Sequence, residues 1–126
     1  RDYSMRIWLD PAALASRIAA QADNELIALS RAEADLCDLR AVERACDAID
    51  ARIRGKRYAK AVLINNAGIV EPVVPLERAD ADDLERNLAV NLVAPMALMS
   101  RFLRSSAGVA DLRRIINISS GAGRRP

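Results

Sequence analysis

The stretch "AVLINNAG", residues 61–68, decides the fold. Its first four residues are apolar without alternation, as expected of a short strand in a sheet covered on both faces. Two asparagines, an alanine and a glycine then end it. Asn side chains at a strand's carboxyl end can bond backbone groups of neighbouring strands, and Ala-Gly leaves room for a ligand to approach the main chain. Taken alone, the tetrapeptide is more simply an ordinary Asn- and Gly-rich turn.

Outward from it lie three more segments of strand length rich in Ile, Val and Leu: "MRIWL" (5–9), "ELIAL" (25–29) and "RIINI" (114–118). Helical patterns separate them. Asp10-Pro11 is a helix-opening pair ahead of "AALASRIAAQA". "RAVERACDAIDARI" (40–53) has apolar residues at helical spacing and ends near Gly55. A long helix is expected over 80–106. Strands and helices in alternation predict an α/β fold, a doubly wound parallel sheet with right-handed crossovers. The chain has 126 residues, no internal repeat and no low-complexity linker, so 1–126 reads as a single domain. Residues 25–29 run into "ADLCDL" without room for a helix between.

Composition excludes several chemistries. Over half the residues are apolar, which supports a core, and the net charge of +2 is scattered rather than clustered. One Trp, one Phe and two Tyr offer no platform for stacking bases, so no nucleic-acid partner is expected. Histidine is absent, which removes a Ser-His-Asp triad and any His-ligated metal. Cys37 and Cys46 are too few for a structural zinc and read as reduced thiols, so no metal is expected. No apolar run approaches the ~20 residues of a membrane span and no signal-peptide pattern opens the chain. The expected setting is cytoplasmic, with no membrane partner.

The long helix carries two further signals. Pro95 has no N–H, so it cannot bond the carbonyl of Asn91 four residues back, which leaves that carbonyl for a water or ligand. The plain reading is a Pro kink with a solvated Asn. Leu88, Val90, Leu92, Val93, Met96, Leu98, Met99, Phe102 and Leu103 wrap most of the helix, more than one sheet face requires. A homo-oligomer through residues 80–106 is expected; burial under other parts of the same domain is the alternative. After the last strand, "ISSGAG" (118–123) is not a hydrolase nucleophile elbow, which needs Gly two residues to either side of Ser and a histidine elsewhere. A serine there can orient a carbonyl, or merely cap a turn.

In combination "NNAG", then Asn91 in "AVNLVAP", then "INISSGAG" resembles the short-chain dehydrogenase/reductase family. The likeness covers the chain from 25 onward. "INNAGIVEPVVPLE", "APM" and "NISSGAGRRP" are most similar to its sepiapterin reductase and benzil reductase branch. The resemblance implies a Rossmann-type, NAD(P)H-dependent oxidoreductase that reduces a ketone or diketone to an alcohol. Ser120 matches the serine that hydrogen-bonds the substrate carbonyl, and Asn91 the residue whose main-chain carbonyl holds a relay water. Asn66, Ala67 and Gly68 match the nicotinamide-ribose side of the cofactor groove, and Asp35-Leu36 the pair that receives adenine. Where NAD-preferring members place a carboxylate, residues 30–31 are Ser30 and Arg31, which suit a 2′-phosphate with no carboxylate to repel it. NADPH is favoured over NADH. Val70, Glu71 and Pro72 are expected to border the substrate pocket.

Three departures stand against the family pattern. Only Asp10 and Pro11 occupy the place of the glycine-rich phosphate loop. The helix after 25–29 is missing or drastically short, and the family's Tyr and Lys, which belong after Ser120, do not precede Pro126. Tyr3 and Tyr58 are in the wrong places to substitute. The expectation is an incomplete dinucleotide-binding domain. A nucleotide-binding or scaffolding relative without turnover, or an inactive fragment, is the alternative.

Overall fold

The structure is a computed structural model that describes residues 11–20 and 24–119. In order these form α1 (Pro11–Ala19), α2 (Leu39–Ile53), β1 (Tyr58–Asn65), a 3-10 turn (Leu76–Arg78), α3 (Ala81–Leu88), α4 (Ala94–Ser105) and β2 (Ala110–Asn117). Between α3 and α4 the helix continues through a wide π turn, Ala89–Val93. β1 and β2 are parallel, in register from Tyr58 opposite Ala110 to Asn65 opposite Asn117. This is the expected α/β class, a βαβ unit of a Rossmann-type sheet. The segment 5–9 expected as the first strand lies outside the described residues.

Local chemistry sets most boundaries. Asp38 caps α2 by accepting from Arg40 N at 2.9 Å. Gly55, with φ of +75°, turns the chain after it. Asp80 caps α3 in the same way, accepting from Asp82 N at 2.9 Å. Pro95 explains the π turn: its missing N–H breaks the α ladder, and the Ala94 N–H reaches back five residues to Ala89 O. The helix expected over 80–106 is thus two α segments joined by a wider turn. Both strands begin earlier than the apolar runs imply, Tyr58 rather than 61 and Ala110 rather than 114.

The core is small. Val42 and Cys46 of α2 pack on Ala94 at the start of α4, with Leu36 and Leu98 against them. Arg101 of α4 fastens the same helices, its Nε donating to Asp50 Oδ2 at 2.8 Å while its Nη2 donates to Asp47 Oδ1. The two-sided burial expected of β1 is only partly met: Val62 is 39% exposed, and Leu112 and Ile116 of β2 are 50% and 37% exposed.

Residues 25–29, expected as a strand, form no ladder among the described residues. A strand exists through its pairing, and here a side-chain anchor holds the segment instead. The Glu25 carboxylate accepts from Tyr58 Oη at 2.6 Å, Arg52 Nε at 2.8 Å and Lys56 Nζ at 3.1 Å. These bonds, Tyr58 foremost, hold its pKa down at about 2 against an ordinary 4.5. A carboxylate whose folded pKa is depressed stabilises the fold above its unfolded pKa, and that stabilisation is lost as pH falls through the folded value. Acid unfolding should therefore gain a Glu25-dependent component between about pH 4.5 and pH 2, which Glu25→Gln removes. Denaturant midpoints measured across that window check it, and equal acid limbs in both proteins would dismiss the anchor.

Candidate functional site

Parallel pairing brings the two singled-out loops to one edge. Asn65 and Asn117 form the last register pair, with Asn65 Nδ2 donating to Asn117 Oδ1 at 2.8 Å and Ile118 N donating to Asn65 O at 2.9 Å. Residues 66–68 and 118–119 thus leave side by side from the carboxyl ends of the strands, where α/β sheets bind ligands. Asn117 also donates to Met99 Sδ at 3.6 Å, tying this edge to α4. Ser120, three residues past the end of β2, lies outside the described residues.

Asn91 sits in the π turn and faces this edge. Its Oδ1 accepts from Ile69 N at 3.0 Å and its Nδ2 donates to Ile69 O at 2.8 Å, so the amide pairs with the main chain as a neighbouring strand would. Gly68 is the residue just before that pairing. A Cβ built on it would stand 3.3 Å from Asn91 Oδ1, so the main chain passes the amide at a distance that favours glycine. Asn66 is half-buried and carries no side-chain hydrogen bond among the described residues, and Ala67 is exposed.

The other end of the candidate groove is more committed than the sequence suggests. Ser30 opens a tight turn, its carbonyl accepting from Glu33 N at 3.1 Å and Ala34 N at 3.0 Å. The Glu33 carboxylate returns to Ser30 N at 2.7 Å, and that bond holds its pKa below the ordinary range. The expectation that no carboxylate stands near Ser30 is therefore corrected: chain reversal brings one from three residues on. Arg31 is not free either, with its Nε 3.7 Å from Asp35 Oδ2. Asp35 accepts from Cys37 N at 3.0 Å, and that amide, with Arg31 beside it, keeps the carboxyl ionised. The Leu36 side chain packs against the core. Arg31, Asp35 and Cys37 line a cleft of about 390 Å³ with Asp82, Glu85, Arg86 and Ala89.

Tyr58 is placed at the opposite, amino-terminal end of β1 from Asn65 and is bonded to Glu25, which raises its pKa. It cannot act at this edge. Sequence reasoning missed two contributors. Asn87 donates to Glu71 O at 2.6 Å and accepts from Asn91 Nδ2 at 3.0 Å; its spacing of four from Asn91 on one helix face was the available signal. Glu33 was legible in Ser30-x-x-Glu33, the pattern of a capping box. Among the described residues no helix is long and apolar enough to cross a membrane.

Comparison with known proteins places this geometry. The family model described as short chain dehydrogenase matches residues 6–126. Two relatives are benzil reductases ((S)-benzoin forming). That of Bacillus cereus is 39% identical over 92 residues, covering 73% of this chain and 37% of the relative. That of Bacillus subtilis (strain 168) is 34% identical over 98 residues, covering 78% and 40%. The chain thus spans about two-fifths of the length of these relatives. Among solved structures, a metagenomic short-chain oxidoreductase in complex with NADP aligns with a TM-score of 0.67 at 31% identity, covering 90% of this chain and 47% of that one. A short-chain dehydrogenase/reductase from Burkholderia vietnamiensis aligns at 0.63 and 33% identity, covering 74% and 43%.

Proposed function

Because this chain belongs to the short-chain dehydrogenase/reductase family, we propose that the protein carrying it reduces a ketone or diketone to the alcohol, with NADPH preferred over NADH. The observation that carries the reading is the juxtaposition at the sheet's carboxyl edge: the Asn91 amide paired with the main chain of Ile69, next to Gly68, beside the end of β2 that leads towards Ser120. The two benzil reductases among its relatives support a carbonyl as substrate.

In this reading Asn66, Ala67 and Gly68 hold the nicotinamide ribose. Asp35, ionised, accepts from the adenine amino group, and the Leu36 backbone lies beside it. Ser30 and Arg31 receive the 2′-phosphate. The Arg31–Asp35 pair is exposed and long, so little is lost when the guanidinium turns to a phosphate. Glu33 must release the Ser30 amide at the same time. Bound NADPH supplies the hydride. The Ser120 hydroxyl donates to the substrate carbonyl oxygen, where negative charge grows as the carbonyl is reduced. The Asn91 main-chain carbonyl, which Pro95 cannot bond, accepts from a water that feeds the proton path. The family's Tyr and Lys complete that path; Tyr58 is too far engaged with Glu25 to do so. Both cysteines are free thiols, in keeping with a cytoplasmic setting.

The apolar surface of α3 and α4, with Leu88 54%, Leu92 51% and Met96 57% exposed, supports assembly of copies through this long helix. The deciding assay follows NADPH oxidation with an aryl diketone, alongside intact mass and light scattering. Diketone-dependent oxidation by an oligomer is the expected result. Cofactor binding or assembly without turnover would instead identify a scaffolding relative.

A further inference from the structure

Asn87 belongs to none of the roles above, yet its two bonds join the parts that carry them. Each amide orientation in the group is dictated by its neighbour. The Ile69 N–H and C=O admit only one orientation of Asn91, with Oδ1 to the N–H and Nδ2 to the carbonyl. The second hydrogen on Asn91 Nδ2 then requires an acceptor, which is Asn87 Oδ1 at 3.0 Å. That leaves Asn87 Nδ2 as a donor, and it meets Glu71 O at 2.6 Å and, more weakly, Ile69 O at 3.4 Å. Two side chains one helical turn apart thus grip both ends of the strap 69–71. Because the Asn91 amide holds both the N–H and the C=O of Ile69, the residue after Gly68, a rotation of that amide is passed to the strap.

We propose that Asn87 is a positioning residue of this site: it holds the Asn91 amide on one side and the Glu71 carbonyl on the other, so that the strap 69–71 and Gly68 keep a single geometry. Its catalytic consequence rests on the reductase reading above; its effect on the strap does not. The Asn87 side chain spends its amide on Asn91 and on the strap. It acts through Asn91, and the two residues should therefore behave as one unit.

The test compares Asn87→Ala, Asn87→Asp, Asn91→Ala and the double variant by amide hydrogen exchange and by steady-state kinetics with NADPH and an aryl diketone. Asn87→Ala should speed exchange at the Ile69 amide about tenfold while the β1 amides of Leu63 and Ile64 stay unchanged. It should lower kcat roughly tenfold with KM moved less than about twofold, because geometry rather than binding is lost. The double variant should be no slower than Asn91→Ala alone by more than about twofold. Asn87→Asp keeps the acceptor for Asn91 but sets an oxygen against the Glu71 carbonyl. It should leave Ile69 exchange near wild type, and it covers the case in which Asn87→Ala fails to fold. Unchanged Ile69 exchange in Asn87→Ala, faster Ile69 exchange in Asn87→Asp equal to that in Asn87→Ala, or kinetic losses that simply multiply would each overturn the proposal. A wild-type protein without turnover would remove the reductase reading, and Ile69 exchange would still decide the clamp.

Discussion

Ser120→Ala is expected to lower kcat for diketone reduction by about 10²–10³-fold, the usual loss when one donor to a developing oxyanion is removed. β2 ends at Asn117, whose side chain is bonded to Asn65 and whose successor Ile118 is bonded to the Asn65 carbonyl. The chain therefore leaves the sheet beside Asn66–Gly68 at a fixed point, two residues before Ser120. In the proposed role the Ser120 hydroxyl would donate to the substrate carbonyl oxygen, and that bond would strengthen as negative charge grows on the oxygen. If Ser120 acts on the substrate carbonyl as proposed, the loss should fall on kcat, with the dissociation constant for NADPH within about twofold of wild type. Ser119→Ala serves as the control and should retain nearly full rate. Equal rates for Ser120→Ala and wild type would remove the serine from the chemistry and with it the reading of "ISSGAG" as a site.

Asn91→Leu should cost about 10²-fold in kcat, because a displacement of the strap by the order of 1 Å misplaces the reacting groups. Three hydrogen bonds disappear together: the two exchanged with Ile69 and the one donated to Asn87. Each contributes about 0.5–1.5 kcal/mol in a typical setting, and these are exposed, so a stability loss of about 1–2 kcal/mol is expected. The substitution leaves the Asn91 main-chain carbonyl in place. Pro95→Ala probes the complementary half: it restores an N–H four residues on, which can bond that carbonyl and compete with a relay water. If the amide clamp and the carbonyl relay are separate contributions, Pro95→Ala should depress kcat with Ile69 exchange unchanged, whereas Asn91→Leu should alter both. Stopped-flow rates and amide exchange on the same samples distinguish them. An Asn91→Leu protein with wild-type kcat would show that the strap is held without the amide.

Local rules carried the helices and the paired strands well. Asp38 and Gly55 bracket α2 because capping and a left-handed turn are decided within a few residues. The disturbance at Asn91 was legible because a missing proline N–H acts on the carbonyl four residues away, wherever the helix lies. The segment 25–29 shows the limit. Its Ile-Leu content favours an extended chain, but pairing depends on which backbone lies alongside, and here Glu25 on Tyr58, Lys56 and Arg52 is what holds it.

The sequence by itself determined the α/β class, the carboxyl-edge position of the Asn-Ala-Gly turn and the irregular helix above it, since these follow from hydrophobic period, strand length and proline chemistry over short spans. Only the tertiary structure decided the partners. Asn91 pairs with Ile69 across 22 residues, Glu33 doubles back onto the Ser30 amide, Arg31 is taken by Asp35, and Tyr58 is bound to Glu25 at the far end of the sheet. Side-chain hydrogen bonds have a reach of about 3 Å, so which groups meet depends on how the elements are packed, and composition or spacing along the chain does not contain that information.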